Sequence, residues 1–264
     1  MRRFGMVPEA AHVEARLHAA PAALIALNAD IVALQEVFEA RHRDFLAAAM
    51  RPVYPEHASG GHGLMLLSRH PIVEARVIGR ADGGFLATAI EAPKIGRVSL
   101  VNVHLRPELP IPLIGRAVSA ARRRAAVGDL MRAAGASGAA VLAGDFNAGP
   151  ESAPANYRRL LAAGYVDALA ATHDPARLRA AATWDPANPL NAATPYRRAP
   201  RQRIDHVLVS AGAVRDLMPR AARIVLTAPV VPVLGVGMVT LSDHFGVLVQ
   251  LGGAGTASPG CPMC

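Results

Sequence analysis

VLAGDFNAGP, residues 141–150, decides how this chain is read. Residues 141–144 form an apolar run of buried-strand length, and it stops on an acid and an amide two positions apart, Asp145 and Asn147. In an extended segment those two side chains share one side while Phe146 points to the other. A D-x-N pair also opens an EF-hand loop. Here Pro150 stands at that loop's glycine position and Asn156 at its closing glutamate position, so the calcium loop is excluded.

Outward from this stretch, strand-like runs at 31–34, 64–67, 98–105, 139–143, 204–209 and 245–251 alternate with helical patterns at 10–20, 39–50, 116–134 and 154–163. In the third helix Val127, Leu130, Met131 and Ala134 form one apolar stripe. Arg122, Arg123 and Arg124 on the same helix span about 200° of its circumference, which predicts a solvated rim. The order of elements predicts one α/β domain over residues 1–251, with helices outside a sheet core, and a disordered tail at 252–264 that carries Cys261 and Cys264.

The 264 residues are 52% hydrophobic and 18% charged, with a net charge of +8 and a pI near 10.6. That balance points to anionic partners such as nucleic acid, anionic lipid or phosphorylated substrates, although a GC-rich coding bias toward Arg gives the same excess. The first twenty residues hold no apolar stretch of signal-peptide length, so the chain as given reads as cytoplasmic, or as secreted if the start lies upstream. The uncharged stretch 224–242 is broken by Pro229, Pro232, Gly235 and Gly237 and cannot be a spanning helix. Nothing implies a stable protein partner, and a monomer is expected.

Other strand ends also turn polar. DIVALQEV runs into Glu36, for which a polar helix start is the plainer reading. VSLVNVHL puts Val98, Leu100, Asn102 and His104 on one face. In RIDHVLVS an acid, Asp205, enters an apolar strand and needs a partner, and LSDHFGV offers Asp243 and His244. Carboxylates, an amide and imidazoles without thiolates favour Mg²⁺ or Mn²⁺ over structural zinc.

The ordered series LQEV, VNVHL, GDFN, RIDHVLV and LSDHFGV resembles the endonuclease/exonuclease/phosphatase superfamily, over roughly residues 10–251. That superfamily includes deoxyribonuclease I, abasic-site endonucleases, neutral sphingomyelinases and tyrosyl-DNA phosphodiesterases. The resemblance implies a four-layer α-β-β-α sandwich of two mixed sheets with the site at one end. It implies a divalent-metal-dependent phosphodiester hydrolase using Mg²⁺, or Mn²⁺, for in-line attack by water on a nucleic-acid or phospholipid substrate. Glu36 and Asp243 are then the metal residues, and Asp145 with Asn147 handles water and phosphate. His104 bonds a phosphoryl oxygen, and Asp205 pairs with His244. Asp145 and His244 both stand as candidates for the base. Asn102, Trp184 of TWDPANPL and Arg203, the last beside Arg197, Arg198 and Arg201, are candidate substrate contacts. The apolar segment 225–239 is either a lipid-facing element or a buried strand pair and loop.

One departure stands out. Family members open with a strand bearing an Asn, and MRRFGMVPEA has neither. Either the start lies upstream or the first strand is missing, leaving an inner sheet position vacant. The alternative function is a degenerate member that binds phosphodiesters without efficient turnover.

Overall fold

Alternation along the strands builds the layers. The structure, a computed structural model, describes residues 11–93, 95–107, 114–192, 194–213 and 217–252. In chain order its elements are α1 (Val13–Ala26), β1 (Ile31–Leu34), α2 (Ala40–Met50), β2 (Glu56–Gly60), β3 (Leu64–Ser68), β4 (Ile72–Ile78), β5 (Phe85–Ala92), β6 (Gly96–His104), α3 (Ile114–Ser137), β7 (Val141–Asp145), α4 (Pro154–Ala162) and β8 (Tyr165–Asp167). There follow α5 (Ala168–Thr172), α6 (Pro175–Ala180), β9 (Asp205–Ser210), β10 (Met218–Val225), β11 (Val231–Val233), β12 (Gly237–Val239) and β13 (Gly246–Gly252).

A six-stranded sheet runs β4-β5-β6-β7-β9-β8, antiparallel except for the parallel pair β6 and β7. On β6, Val101 and Val103 face one way and pack with Phe85 and Leu142 against the α3 stripe of Val127, Leu130 and Ala134. Val98 and Leu100 face the other way and meet Leu64 and Leu66 of β3. The next residues of β3, Met65 and Leu67, face Leu24 of α1 and Leu46 and Met50 of α2. The period of two thus delivers both faces of each sheet to an apolar layer, giving helix, sheet, sheet, helix. Each fully buried side chain of this kind contributes about 1.5–3 kcal/mol.

Helix α1 corrects its predicted end at residue 20, since it passes through Pro21 and stops after Ala26. An interior proline costs about 3 kcal/mol. Leu17, Leu24 and Ile25, which straddle it, offset that cost by packing on the three-stranded layer.

The second sheet layer comes in two antiparallel pieces, β1-β3-β2 and β10-β13. Among the described residues no strand pairs with the second edge of β1 or of β13. Both elements line a cavity of about 910 Å³ that reaches from Leu24 and Leu100 to Val249 and the polar strand ends. Residues 1–10, on which the expectation about the first strand falls, lie outside the described residues, as does the tail with its two cysteines.

Candidate active site

Register alone assembles the centre of the site. In the six-stranded sheet His104 of β6 pairs with Asp145 of β7, and Asp145 pairs with Asp205 of β9. Three adjacent strands therefore bring two acids and an imidazole to one rim. His244 arrives from the loop before β13, tied down by a bridge to Trp184 and by a 2.6 Å bond from the Phe245 N–H to the Thr183 carbonyl. Its Nδ1 lies 2.9 Å from Asp205 Oδ2, which is the partner Asp205 was expected to need. Ligand atoms of Asp145, Asp205 and His244 all lie within 4.8 Å of one another.

The Asp145 carboxylate is held by the residue two positions on. Asn147 donates its backbone N–H to Oδ1 and its side-chain amide to Oδ2, each at 2.7 Å. The expectation that both residues lie in one extended segment is corrected: Asn147 has φ 45°, so the chain turns there and folds the amide back onto the acid. Just before it, Gly144 is required, because a Cβ there would sit 2.1 Å from the Val103 carbonyl oxygen.

Glu36 follows β1 with φ 63° and presents Oε1 3.6 Å from His104 Nε2, which in turn lies 3.8 Å from Asp145 Oδ2. Asp243 lines the same cavity mouth, its backbone carbonyl accepting a bond from Asn191. These two expected metal residues thus flank the tighter cluster of Asp145, Asp205 and His244.

Electrostatics separate the two histidines. Burial, together with the nearby charges of His244 and His62, lowers the His104 pKa to about 4, so its imidazole is neutral at physiological pH. Burial also disfavours a charged His244, but Asp205, Asp145 and Asp243 outweigh it and hold His244 well above its ordinary range, as an imidazolium. Burial and the neighbouring Asp205 push Asp145 well above the usual carboxylate range. Crowded acids whose charge is this poorly compensated, offering hard oxygens beside an imidazole, fit a small divalent cation, with Glu36 near enough to join them.

Three expected substrate contacts are placed elsewhere. Asn102 is fully buried between the sheets, accepting from Gln35 and donating to the Leu34 and Met65 carbonyls, so it ties the Glu36 strand to the six-stranded sheet. Arg203 is 1% exposed and donates to Asp167, so its charge is neutralised inside the protein. Trp184 is 7% exposed and packs, with its backbone paired to Gln202 and His244. Of the other arginines near it, Arg197 stays exposed and Arg201 pairs with Asp185 at 2.7 Å.

Two buried groups escaped the sequence reading. Arg123, expected on a solvated rim, is 4% exposed and donates to the Asn147 carbonyl, while its neighbours Arg122 and Arg124 are exposed as expected. His206 contacts the Ala148 carbonyl from the far side of β9. The signal for His206 was present, since it alternates with Asp205 and so must face the opposite layer.

A sequence profile of the Endonuclease/Exonuclease/phosphatase family matches residues 5–244. Among solved structures, sphingomyelinase C from Streptomyces griseocarneus is similar at 24% identity over 91% of each chain, with a TM-score of 0.67. The beta toxin of Staphylococcus aureus aligns at 17% identity over 90% of this chain and 92% of its own, with a TM-score of 0.70. D. rerio TDP2, complexed with a single-strand DNA product, aligns at 19% over 90% and 91%, with a TM-score of 0.67. No curated protein matches the chain. At these identities the structural likenesses establish the fold.

Proposed function

From the premise that this chain belongs to the Endonuclease/Exonuclease/phosphatase family, we propose that it is a divalent-metal-dependent phosphodiester hydrolase, acting as a monomer through one catalytic domain over residues 1–251. The observation that carries this reading is the row His104, Asp145, Asp205 with His244 closing on Asp205. Asp145, Asp205 and Glu36 would hold Mg²⁺ or Mn²⁺, with Asp243 beside them, and the ion supplies charge stabilisation at a phosphoryl oxygen. The Asp145 carboxylate, aimed by Asn147, would orient the attacking water and accept its proton. Neutral His104 donates to a phosphoryl oxygen. The imidazolium of His244, steadied by Asp205, offers a proton or a cationic hydrogen bond to the departing oxygen.

For the substrate class, the surface beside the site favours phospholipid over nucleic acid. The hairpin β11-β12 leads directly into the His244 loop. Its Val231 and Val239 are buried with Leu190 and Leu241 against Ala15, Ala19 and Ala23 of α1, whereas Val230, Leu234, Val236 and Met238 face solvent, Leu234 completely. Residues 230–239 hold no charged side chain and no side-chain nitrogen or oxygen. A nucleic-acid interface takes most of its contacts through cationic and polar groups, whereas the acyl boundary of a bilayer needs none. The burial of Trp184 and Arg203 also removes two contacts expected for a nucleic acid.

Hydrolysis of bis-p-nitrophenyl phosphate with Mg²⁺, abolished by chelator, tests the chemistry. Absence of turnover with both Mg²⁺ and Mn²⁺ leaves the degenerate binding member. Release of headgroup from sphingomyelin or phosphatidylcholine vesicles, compared with cleavage of single-stranded DNA, tests the substrate class.

A further inference from the structure

The turn that carries Asp145 and Asn147 is fastened from behind by buried side chains that the proposed chemistry does not use. Arg123 Nη1 donates to the Asn147 carbonyl at 3.0 Å, and His206 Nε2 lies 2.8 Å from the Ala148 carbonyl. A carbonyl oxygen only accepts, so Nε2 carries the proton. The other ring nitrogen, Nδ1, lies 3.1 Å from Asp167 Oδ2 and 3.2 Å from Arg203 Nη1. Asp167 is itself fixed: its Oδ1 accepts the Leu169 and Ala170 N–H groups that open α5, and its Oδ2 takes the Tyr157 hydroxyl at 2.7 Å and the Arg203 guanidinium. The Tyr157 ring stacks on His206 with centroids 5.1 Å apart, and Phe146 meets the same imidazole edge-on at 5.7 Å. His206, Asp167, Arg203 and Tyr157 are all buried.

We propose that His206 is a positioning residue for the catalytic turn. Its Nε2–H fixes the peptide that follows Asn147, so that Asn147 keeps its left-handed conformation and both of its donors on the Asp145 carboxylate. Asn147 is the weak point of the turn, because a non-glycine residue at φ 45° persists only where its surroundings over-determine it. His206 and Arg123 supply that determination by holding two successive carbonyls away from the reaction side. Asp167, Arg203 and Tyr157 lock the imidazole in the ring orientation that the bond requires. The inference rests on the reading of Asp145 as part of the catalytic cluster.

Two substitutions separate this role from simple core filling. In His206→Gln an amide N–H stands where Nε2–H stood, whereas in His206→Asn the amide reaches only as far as Nδ1. With bis-p-nitrophenyl phosphate and Mg²⁺, His206→Gln is expected to keep most of the turnover. His206→Asn is expected to lose about tenfold or more in kcat with little change in KM, as for groups that orient a ligand from behind. Independently of activity, the Asn147 backbone amide should remain protected from hydrogen exchange in the wild type and in His206→Gln and lose protection in His206→Asn. Equal losses in the two variants, or retained protection in His206→Asn, overturn the proposal. Should both variants fail to fold, the wild-type protein still decides: long-range ¹H–¹⁵N correlation must show His206 protonated at Nε2, and a bare Nε2 refutes the assignment. If the wild type shows no turnover with any divalent ion, the catalytic reading fails by itself, while exchange and tautomer still test the turn.

Discussion

Asp145 and Glu36 bring carboxylates to the same rim from two regions that are built differently. Asp145 ends a central strand of a continuous sheet, takes two bonds from Asn147, and sits on a turn whose carbonyls are held by Arg123 and His206. Glu36 follows β1, which among the described residues has one ladder partner and lines a cavity of about 910 Å³. Its position depends on the Gln35–Asn102 bond at 2.7 Å and on the peptide contact between Val37 N–H and the Gly63 carbonyl. One half of the site is thus preorganised by a buried polar network, whereas among the described residues the other half stands at a sheet edge. A reaction whose geometry is set mainly by the first half should tolerate change in the second.

The largest effects should therefore fall on the fixed side. Asp145→Ala and His244→Ala are each expected to lower turnover of bis-p-nitrophenyl phosphate at least about 100-fold. Near-normal kcat in either variant moves the chemistry off this rim. Asp205→Asn should lose nearly as much as His244→Ala, because the two act as one unit, and the double variant should be little worse than the worse single. The same substitution removes the carboxylate that raises His244, so the His244 titration followed by NMR should move to lower pH. Fully multiplicative losses would dissolve the pair.

Behind the fixed side, burial pushes the Asp167 carboxyl up, but His206 and Arg203 outweigh it and hold it well below the usual range. A depressed folded pKa gives stability that is fully present above the unfolded value of about 3.9 and is lost as pH falls toward the folded one. Asp167→Asn should therefore cost about 2 kcal/mol in denaturant unfolding at pH 7, and the gap to wild type should narrow below about pH 4. A gap that stays constant with pH would mean the charge of Asp167 contributes nothing.

On the open side, Glu36→Gln should raise the Mg²⁺ concentration needed for half-maximal rate, on the order of tenfold, while kcat at saturating metal falls less than in Asp145→Ala. An unchanged metal titration assigns the ion to Asp145 and Asp205 without Glu36. The smallest effect is one of dynamics. Amides of β1 and β13, each with one ladder partner among the described residues, should exchange faster than those of β6, β7 and β9, and equal protection would erase the contrast between the halves.

Much of this was legible in the chain. Strand ends that turn polar are a local signal: the period of two on β6 already put Asn102 and His104 on the face of Val98 and Leu100, and an acid inside RIDHVLVS already required a partner. Five such motifs in one order were enough for the family and for the α/β layers. The sequence pattern failed where a side chain's fate depends on what packs over it. Arg122, Arg123 and Arg124 are identical in sequence, and only the approach of the Asn147 turn makes the middle one a buried donor. Arg203 and Trp184 carry the chemistry of substrate contacts, yet Asp167 and a backbone bridge to His244 draw them inward. The segment 225–239 offered two readings because it carries no charge, and the structure builds a strand pair from it that buries Val231 and Val239 against α1 and leaves Leu234 exposed. Periodicity is set by the backbone and can be read along the chain, whereas burial and the choice of a hydrogen-bond partner are set by neighbours distant in sequence, which exist only once the sheets have closed.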